Sequence, residues 1–217
     1  MPFSAKTLCL ESPAKLNLFL DVINKRPDGY HNIVTLFERI NLCDSVRLFA
    51  IHSDEIVVSC SHPDVPLDYR NLAWRAAELI KKSRDIRTGV KIEIDKRIPV
   101  GAGLGGGSSN AAAVLSGLSR LFKLKLDQKT LTGYANRLGS DVAFFILNKS
   151  FALGTDRGGD LKRVFVPKKL KLWHLLFIPP LKVMTKEIYG LHKSLALTRK
   201  PLDVNILIRY LKGKNIP

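Results

Sequence analysis

Apolar and polar residues alternate from Lys15 to Val22. Leu16, Leu18, Leu20 and Val22 fall on one face and Lys15, Asn17, Phe19 and Asp21 on the other, the two-residue period of a half-buried strand. Lys15 and Asn17 then stand side by side on its polar face. Pro27-Asp-Gly-Tyr30 reads as a turn, with Pro presetting φ and Gly open to positive φ. Further strands are expected over 34–41, 46–51 and 55–60, and another where Val90, Ile92 and Ile94 alternate with Lys91, Glu93 and Asp95. The period becomes helical over 71–83, where Leu72, Ala76, Leu79 and Ile80 share a face behind Asn71 as a cap. An Ala-rich helix should run from near Asn110 to Phe122, and a second over 128–138 should stop at Gly139. Strands over 150–154, 162–166 and 171–178 and helices over 185–195 and 203–211 complete the pattern. Strands and helices interleave without strict βαβ regularity, so the expected class is α+β with a mixed or antiparallel sheet.

Composition changes this picture little: of 217 residues, 46% are apolar and 25% charged, values ordinary for a globular protein. Charge changes it more. Lys and Arg number 35 against 19 Asp and Glu, a net +16 that points to anionic partners. The excess is concentrated late, with 13 basic and 3 acidic side chains in residues 160–217. The break falls at Gly154-Thr-Asp-Arg-Gly-Gly159, which reads as a boundary between a domain over 1–160 and a smaller basic part over 161–217. Residues Met1–Lys6 show no signal-peptide pattern, and the apolar run Leu172–Leu181, broken by His174, Pro179 and Pro180, is too short to span a membrane. Cys9, Cys43 and Cys60 have no Cys-x-x-Cys or His spacing for a metal and read as small buried residues of a reducing compartment. The expectation is a cytoplasmic protein without membrane or nucleic-acid partners, monomeric or weakly dimeric.

The candidate chemistry lies between the strand ending at Asp95 and the Ala-rich helix. Gly101, Gly103, Gly105, Gly106 and Gly107 are five glycines in seven residues, followed by Ser108-Ser109-Asn110 where the helix starts. Glycine has the highest backbone entropy cost of any residue, so such a cluster implies a path that side chains would block. First-turn N–H groups, the helix dipole and two hydroxyls then converge as a phosphate site. No Lys follows the glycines, which excludes the Walker pattern. Gly101, Gly103 and Gly106 formally match the dinucleotide pattern with Asp127 about 20 residues on, but Lys96, Arg97 and Pro99 interrupt the hydrophobic strand that this pattern requires.

Pro99 to Ser109, with Leu104 among its glycines, resembles instead the nucleotide-phosphate loop of the GHMP kinases. Pro13-Ala-Lys-Leu-Asn-Leu-Phe-Leu20, Lys25-Arg-Pro-Asp-Gly-Tyr-His31 and Leu138-Gly-Ser-Asp-Val-Ala-Phe-Phe145 are similar to motifs of the branch that phosphorylates a diphosphocytidyl-linked polyol on the non-mevalonate route to isoprenoids. The resemblance implies a two-domain fold with a ribosomal-protein-like N-terminal domain and a ferredoxin-like C-terminal one. It implies ATP with Mg²⁺ as cofactors and a small-molecule cytidine-diphosphate substrate. Asp141 matches the family's catalytic base and Lys15 its catalytic lysine, while Asn17 would hold the substrate diol. Tyr30 and His31 would take the cytosine, by stacking and by an edge hydrogen bond. Thr185 and Tyr189, one helical turn apart, match the other side of the cytidine site, and equally suit a packed core aromatic. Asn71 and Lys96 would lie near adenosine, the loop from Gly103 to Ser109 around the phosphates, and Ser108 near the metal.

Two departures stand out. Ala143 replaces a usual Pro, and no second Gly/Ser-rich run follows Gly159, where only Gly190 and Gly213 remain. The expectation is an incomplete C-terminal domain, or a branch that has lost part of it. Two other functions stay open at this level. One is another GHMP small-molecule kinase, from which Tyr30-His31 separates this chain. The other is a basic RNA-binding module, against which the chain shows no RNP-type aromatic run, KH loop or basic helix stripe.

Overall fold

The structure is a computed structural model, and it describes residues 7–179 and 203–213. Its elements in chain order are β1 (Thr7–Lys25), β2 (His31–Ile51), β3 (Ile56–Cys60), α1 (Leu72–Ser83), β4 (Gly89–Asp95), α2 (Gly106–Leu121), α3 (Gln128–Leu138), α4 (Ser140–Leu147), β5 (Phe151–Thr155), β6 (Asp160–Arg163) and α5 (Val204–Leu211). They confirm the α+β class. The helices expected at 71–83, 128–138 and 203–211 form within a residue or so of the predicted bounds. Asn71 caps α1, and Asp127 accepts from Thr130 N–H to cap α3.

The chain divides into two compact units: residues up to Lys15 with Arg39–Val100 and Leu104–Lys149, and Leu16–Glu38 with Gly101–Gly103 and the residues from Ser150 on. In the first unit the late half of β2 pairs antiparallel with β4, and β3 runs parallel to β4. The register sets Val58 and Leu48 on either side of Ile92, and all three are buried. Ala73, Ala76, Ala77 and Ile80 of α1 and Ala111, Val114, Leu115 and Leu118 of α2 complete this core. Small residues let backbones approach closely here. A Cβ on Gly89 would lie 2.2 Å from the Ser53 carbonyl oxygen and 2.8 Å from that of Glu55. Because those are backbone atoms, Gly89→Ala should cost about 2 kcal/mol, read as a lowered denaturant midpoint.

In the second unit the early half of β2 pairs antiparallel with β5, and β5 with β6. Its core joins Leu36, Phe151 and Val164 to Val204, Ile208 and Leu211 of α5. These helical positions recur with the period of one apolar face, and Asp203 caps the helix through Asn205 N–H at 2.8 Å.

Five expectations need correction. First, β1 and β2 are longer than predicted, and 34–41 and 46–51 are one continuous strand. Asp44, which falls between the two predicted strands, is buried inside β2 with its carboxylate fully occupied. Second, the predicted faces of β1 are not kept: Lys15 is buried and Leu20 is 46% exposed. Third, residues 140–147 form a helix that the sequence pattern had not suggested. Fourth, 171–178 is no strand. Among the described residues nothing pairs with it, and Trp173, Leu175 and Phe177 are exposed. An apolar run alone cannot make a strand without a ladder partner. Its His174 bonds the buried Glu38 at 2.7 Å, and burial pushes the Glu38 carboxyl up against the opposing pull of His174. Fifth, the cysteines are free but not buried: Cys9 is exposed, and Cys43 and Cys60 are half-buried. No helix among the described residues is long and apolar enough to cross a membrane.

Candidate active site

The glycine loop belongs to a strand-to-helix junction. β4 ends at Asp95, and α2 begins at Gly106. Gly101, Gly103 and Gly105 have φ of 77°, 73° and 71°, a left-handed conformation that L side chains resist. Gly105 also lacks room: an added Cβ would lie 3.0 and 3.2 Å from Lys15 carbons and 3.2 Å from the Phe145 ring. No side chain caps α2, and its first turn holds no acidic residue. The first-turn N–H groups thus lack a side-chain acceptor and lie at the positive end of the helix dipole. Ser109 Oγ is the only buried side-chain nitrogen or oxygen without a hydrogen-bond partner among the described residues. A buried hydroxyl left unpaired costs stability unless a ligand completes it. Both features suit the oxygens of a phosphate.

Lys15 and Asp141 meet beside this loop in the first unit. Lys15 Nζ is 3.4 Å from Asp141 Oδ2, with the lysine side chain 7% and the aspartate 35% exposed. The Lys15 backbone N–H donates to the Leu104 carbonyl at 2.9 Å, joining β1 directly to the glycine loop. Asp141 stands in the first turn of α4 just after Gly139, where a helix N-terminus favours a carboxylate. A buried ammonium therefore orients a partly exposed carboxylate, leaving the latter accessible to a reacting hydroxyl.

Lys96 is held differently. Its Nζ pairs with Asp44 Oδ2, with side-chain exposures of 5% and 0%. Asp44 also accepts from the backbone N–H groups of Arg97 and Ile98 at 2.8 Å and from Asn110 Nδ2 at 2.9 Å. Asn110 donates in addition to Ser12 Oγ at 2.8 Å. One carboxylate thus ties the entry of the loop to the helix that leaves it. Lys96 Nζ lies 2.9 Å from where a Gly106 Cβ would be, directly against the start of α2. Asn71 is committed to its cap: Oδ1 accepts from Ala73 N–H at 2.9 Å and Nδ2 donates to the Pro66 carbonyl at 2.7 Å. Pro99 precedes the left-handed glycines, and Gly107 and Ser108 lie in the first turn of α2.

The second unit holds Asn17, Tyr30 and His31. Asn17 Nδ2 donates to Thr35 Oγ1 at 2.7 Å, and Thr35 Oγ1 donates to the Phe19 carbonyl at 2.7 Å, which fixes the amide. Tyr30 is 60% exposed at the end of the 26–30 turn, and its N–H donates to Asp28 Oδ1 at 3.1 Å. Burial would raise the Asp28 carboxyl, but the Tyr30 N–H and the Arg26 and Arg157 charges outweigh it and hold the group below its ordinary value. His31 opens β2. Thr185 and Tyr189 lie outside the described residues. Sequence reasoning missed Asp44 and Arg157: Asp44 falls between the strands predicted at 34–41 and 46–51, and Arg157 lies in a turn read as a domain boundary.

A family model described as GHMP kinases N terminal domain matches residues 71–149. The 4-diphosphocytidyl-2-C-methyl-D-erythritol kinase of Exiguobacterium sibiricum is 40% identical over 209 residues, covering 96% of this chain and 71% of the relative. The enzyme of the same name from Bacillus subtilis is 45% identical over 179 residues, 82% of this chain and 61% of the relative. A crystal structure of 4-(cytidine 5'-diphospho)-2C-methyl-D-erythritol kinase matches with a TM-score of 0.75 and 34% identity, over 97% of this chain and 74% of that one. The chain spans 61 to 74% of the length of these relatives. With the glycine loop at the start of α2 and Lys15 beside Asp141, these similarities show that the chain belongs to the GHMP kinases, in the branch of the 4-diphosphocytidyl-2-C-methyl-D-erythritol kinases.

Proposed function

We propose that the chain transfers the γ-phosphoryl group of ATP to the 2-hydroxyl of 4-diphosphocytidyl-2-C-methyl-D-erythritol, a step in the making of isoprenoid precursors. The observation that carries this reading is the Lys15–Asp141 pair at 3.4 Å, next to an uncapped, glycine-built helix N-terminus. Phosphoryl transfer depends mainly on positioning and charge neutralisation, plus a group that accepts the hydroxyl proton.

In this reading the first-turn N–H groups of α2, with the Ser108 and Ser109 hydroxyls, hold the ATP phosphates. Asp141 accepts the proton as the substrate oxygen bonds to the γ-phosphorus and the bond to the ADP oxygen breaks. Lys15 orients that carboxylate and polarises the acceptor oxygen. Asn17 binds the diol, while Tyr30 and His31 take the cytosine, a stacking contact worth about 1–3 kcal/mol. Asn71 and Lys96 support the nucleotide side through the α1 cap and the Asp44 network, rather than by reaching for adenosine. Among the described residues no three His, Cys, Asp or Glu side chains could hold a metal ion. Mg²⁺ would screen the charge of the ATP phosphates, with Ser108 beside it.

The test is a panel of acceptors offered with ATP and Mg²⁺. ADP release should require the diphosphocytidyl substrate; release with homoserine or mevalonate instead would keep the kinase and overturn the substrate. The loop makes a separate prediction. Gly105→Ala forces a strained φ and pushes a methyl against Lys15 and Phe145. It should lower kcat about tenfold or more by displacing the ammonium, with a thermal melt recording whether the fold is retained.

A further inference from the structure

The turn bearing Tyr30 is gripped by a second turn from the same unit, Gly154–Gly159, which links β5 to β6. Asp156 sits there with φ of 60°, a conformation rare for a residue with a side chain and stable only when its surroundings enforce it. Both of its polar groups reach the first turn. Its carbonyl accepts the Ile33 N–H at 2.7 Å, and its carboxylate pairs with the Arg26 guanidinium. Arg26 also donates to Asn32 Oδ1 at 3.0 Å and pairs with Asp28. Gly158, with φ of 87°, packs under Ile33, where an added Cβ would be 3.3 Å from Cδ1.

This clamp fixes the residue between them. Arg157 places its guanidinium carbon 5.1 Å from the centroid of the Tyr30 ring. A guanidinium over an aromatic face is attracted by the ring quadrupole and lies flat against it. The ring has two faces; Arg157 covers one, so a planar ligand stacks on the other. An exposed tyrosine would otherwise have to be ordered at the moment of binding, which weakens affinity.

We propose that Arg157 is a positioning residue for a pyrimidine nucleoside diphosphate: it backs the Tyr30 ring so that the base stacks on the opposite face. This rests on the reading that Tyr30 receives the cytosine. It also gives the Gly154–Gly159 turn a binding task.

The test is calorimetric titration of cytidine 5'-diphosphate into the full chain, its Arg157→Ala, Arg157→Lys and Tyr30→Ala variants, and the Arg157→Ala/Tyr30→Ala double variant. Arg157→Ala should weaken binding about fivefold, with Arg157→Lys recovering part of the loss. Tyr30→Ala should weaken it about thirtyfold, and the double variant should be no weaker than Tyr30→Ala alone. The Arg157 side chain is 44% exposed, so its removal leaves the core intact. Unchanged binding in Arg157→Ala, or a double variant whose loss is the product of the two single losses, would overturn the positioning role while leaving the cytidine site standing. No binding by the unmodified chain would overturn both.

Discussion

Asp141→Asn should lower kcat roughly a thousandfold while leaving KM for ATP nearly unchanged. The substitution keeps the shape of the side chain and its place in the first turn of α4. What it removes is the basic oxygen that takes the hydroxyl proton and the negative partner of Lys15, whose Nζ stands 3.4 Å away. A general base contributes about 10²–10⁴-fold, and the phosphate loop that binds ATP is untouched. Steady-state kinetics over both substrates would check the split. A rise in KM for ATP with kcat preserved would place Asp141 in ground-state binding and remove it from proton transfer.

Asp44→Ala should be among the most damaging changes to the first unit, by about 3–5 kcal/mol. Lys96 would be left with a side chain 5% exposed and no counter-charge. The N–H groups of Arg97 and Ile98 and the Asn110 amide would lose their shared acceptor. Against a total stability of about 5–15 kcal/mol, this is a large share. Adding Lys96→Met removes the stranded charge, and the double variant should recover a substantial part of the loss, read as denaturant midpoints. A loss below about 1 kcal/mol for Asp44→Ala would mean that the buried pair does not brace the loop.

These two carboxylates mark what was legible in the sequence and what was not. Asp141 and Lys15 could be paired because each lies in a recognisable motif, and the structure sets them side by side in one unit. The glycine loop was legible because five glycines before two serines have few structural explanations. The cap Asn71 was also legible, since a cap bonds only to its own first turn. Asp44 was hidden because its four hydrogen bonds come from two distant segments, residues 96–98 and Asn110, that no local period connects. The burial of Lys15, unlike its role, escaped for a related reason: a strand lysine reads as solvated until its partner is known. The short α4 was missed because its six-residue apolar run, Val142–Leu147, does not display a helical period. Leu172–Ile178 failed in the opposite sense, with a local apolar run present and no described strand to pair with it.

The charge that opened the question of anionic partners is only partly absorbed. ATP and a diphosphate substrate need few of the 35 basic residues, and much of the excess lies in residues 160–217. Arg163, for example, stacks on the exposed Phe165 ring at 4.0 Å.

The central claim is that phosphate moves from ATP to the 2-hydroxyl with Asp141 as base. Phosphorus-31 NMR of the reaction with ATP, Mg²⁺ and 4-diphosphocytidyl-2-C-methyl-D-erythritol tests it most directly. The account predicts a new phosphomonoester resonance on that tertiary carbon, growing in step with ADP and nearly absent with Asp141→Asn. ADP appearing together with free inorganic phosphate, or a product that forms equally fast with Asp141→Asn, would contradict it.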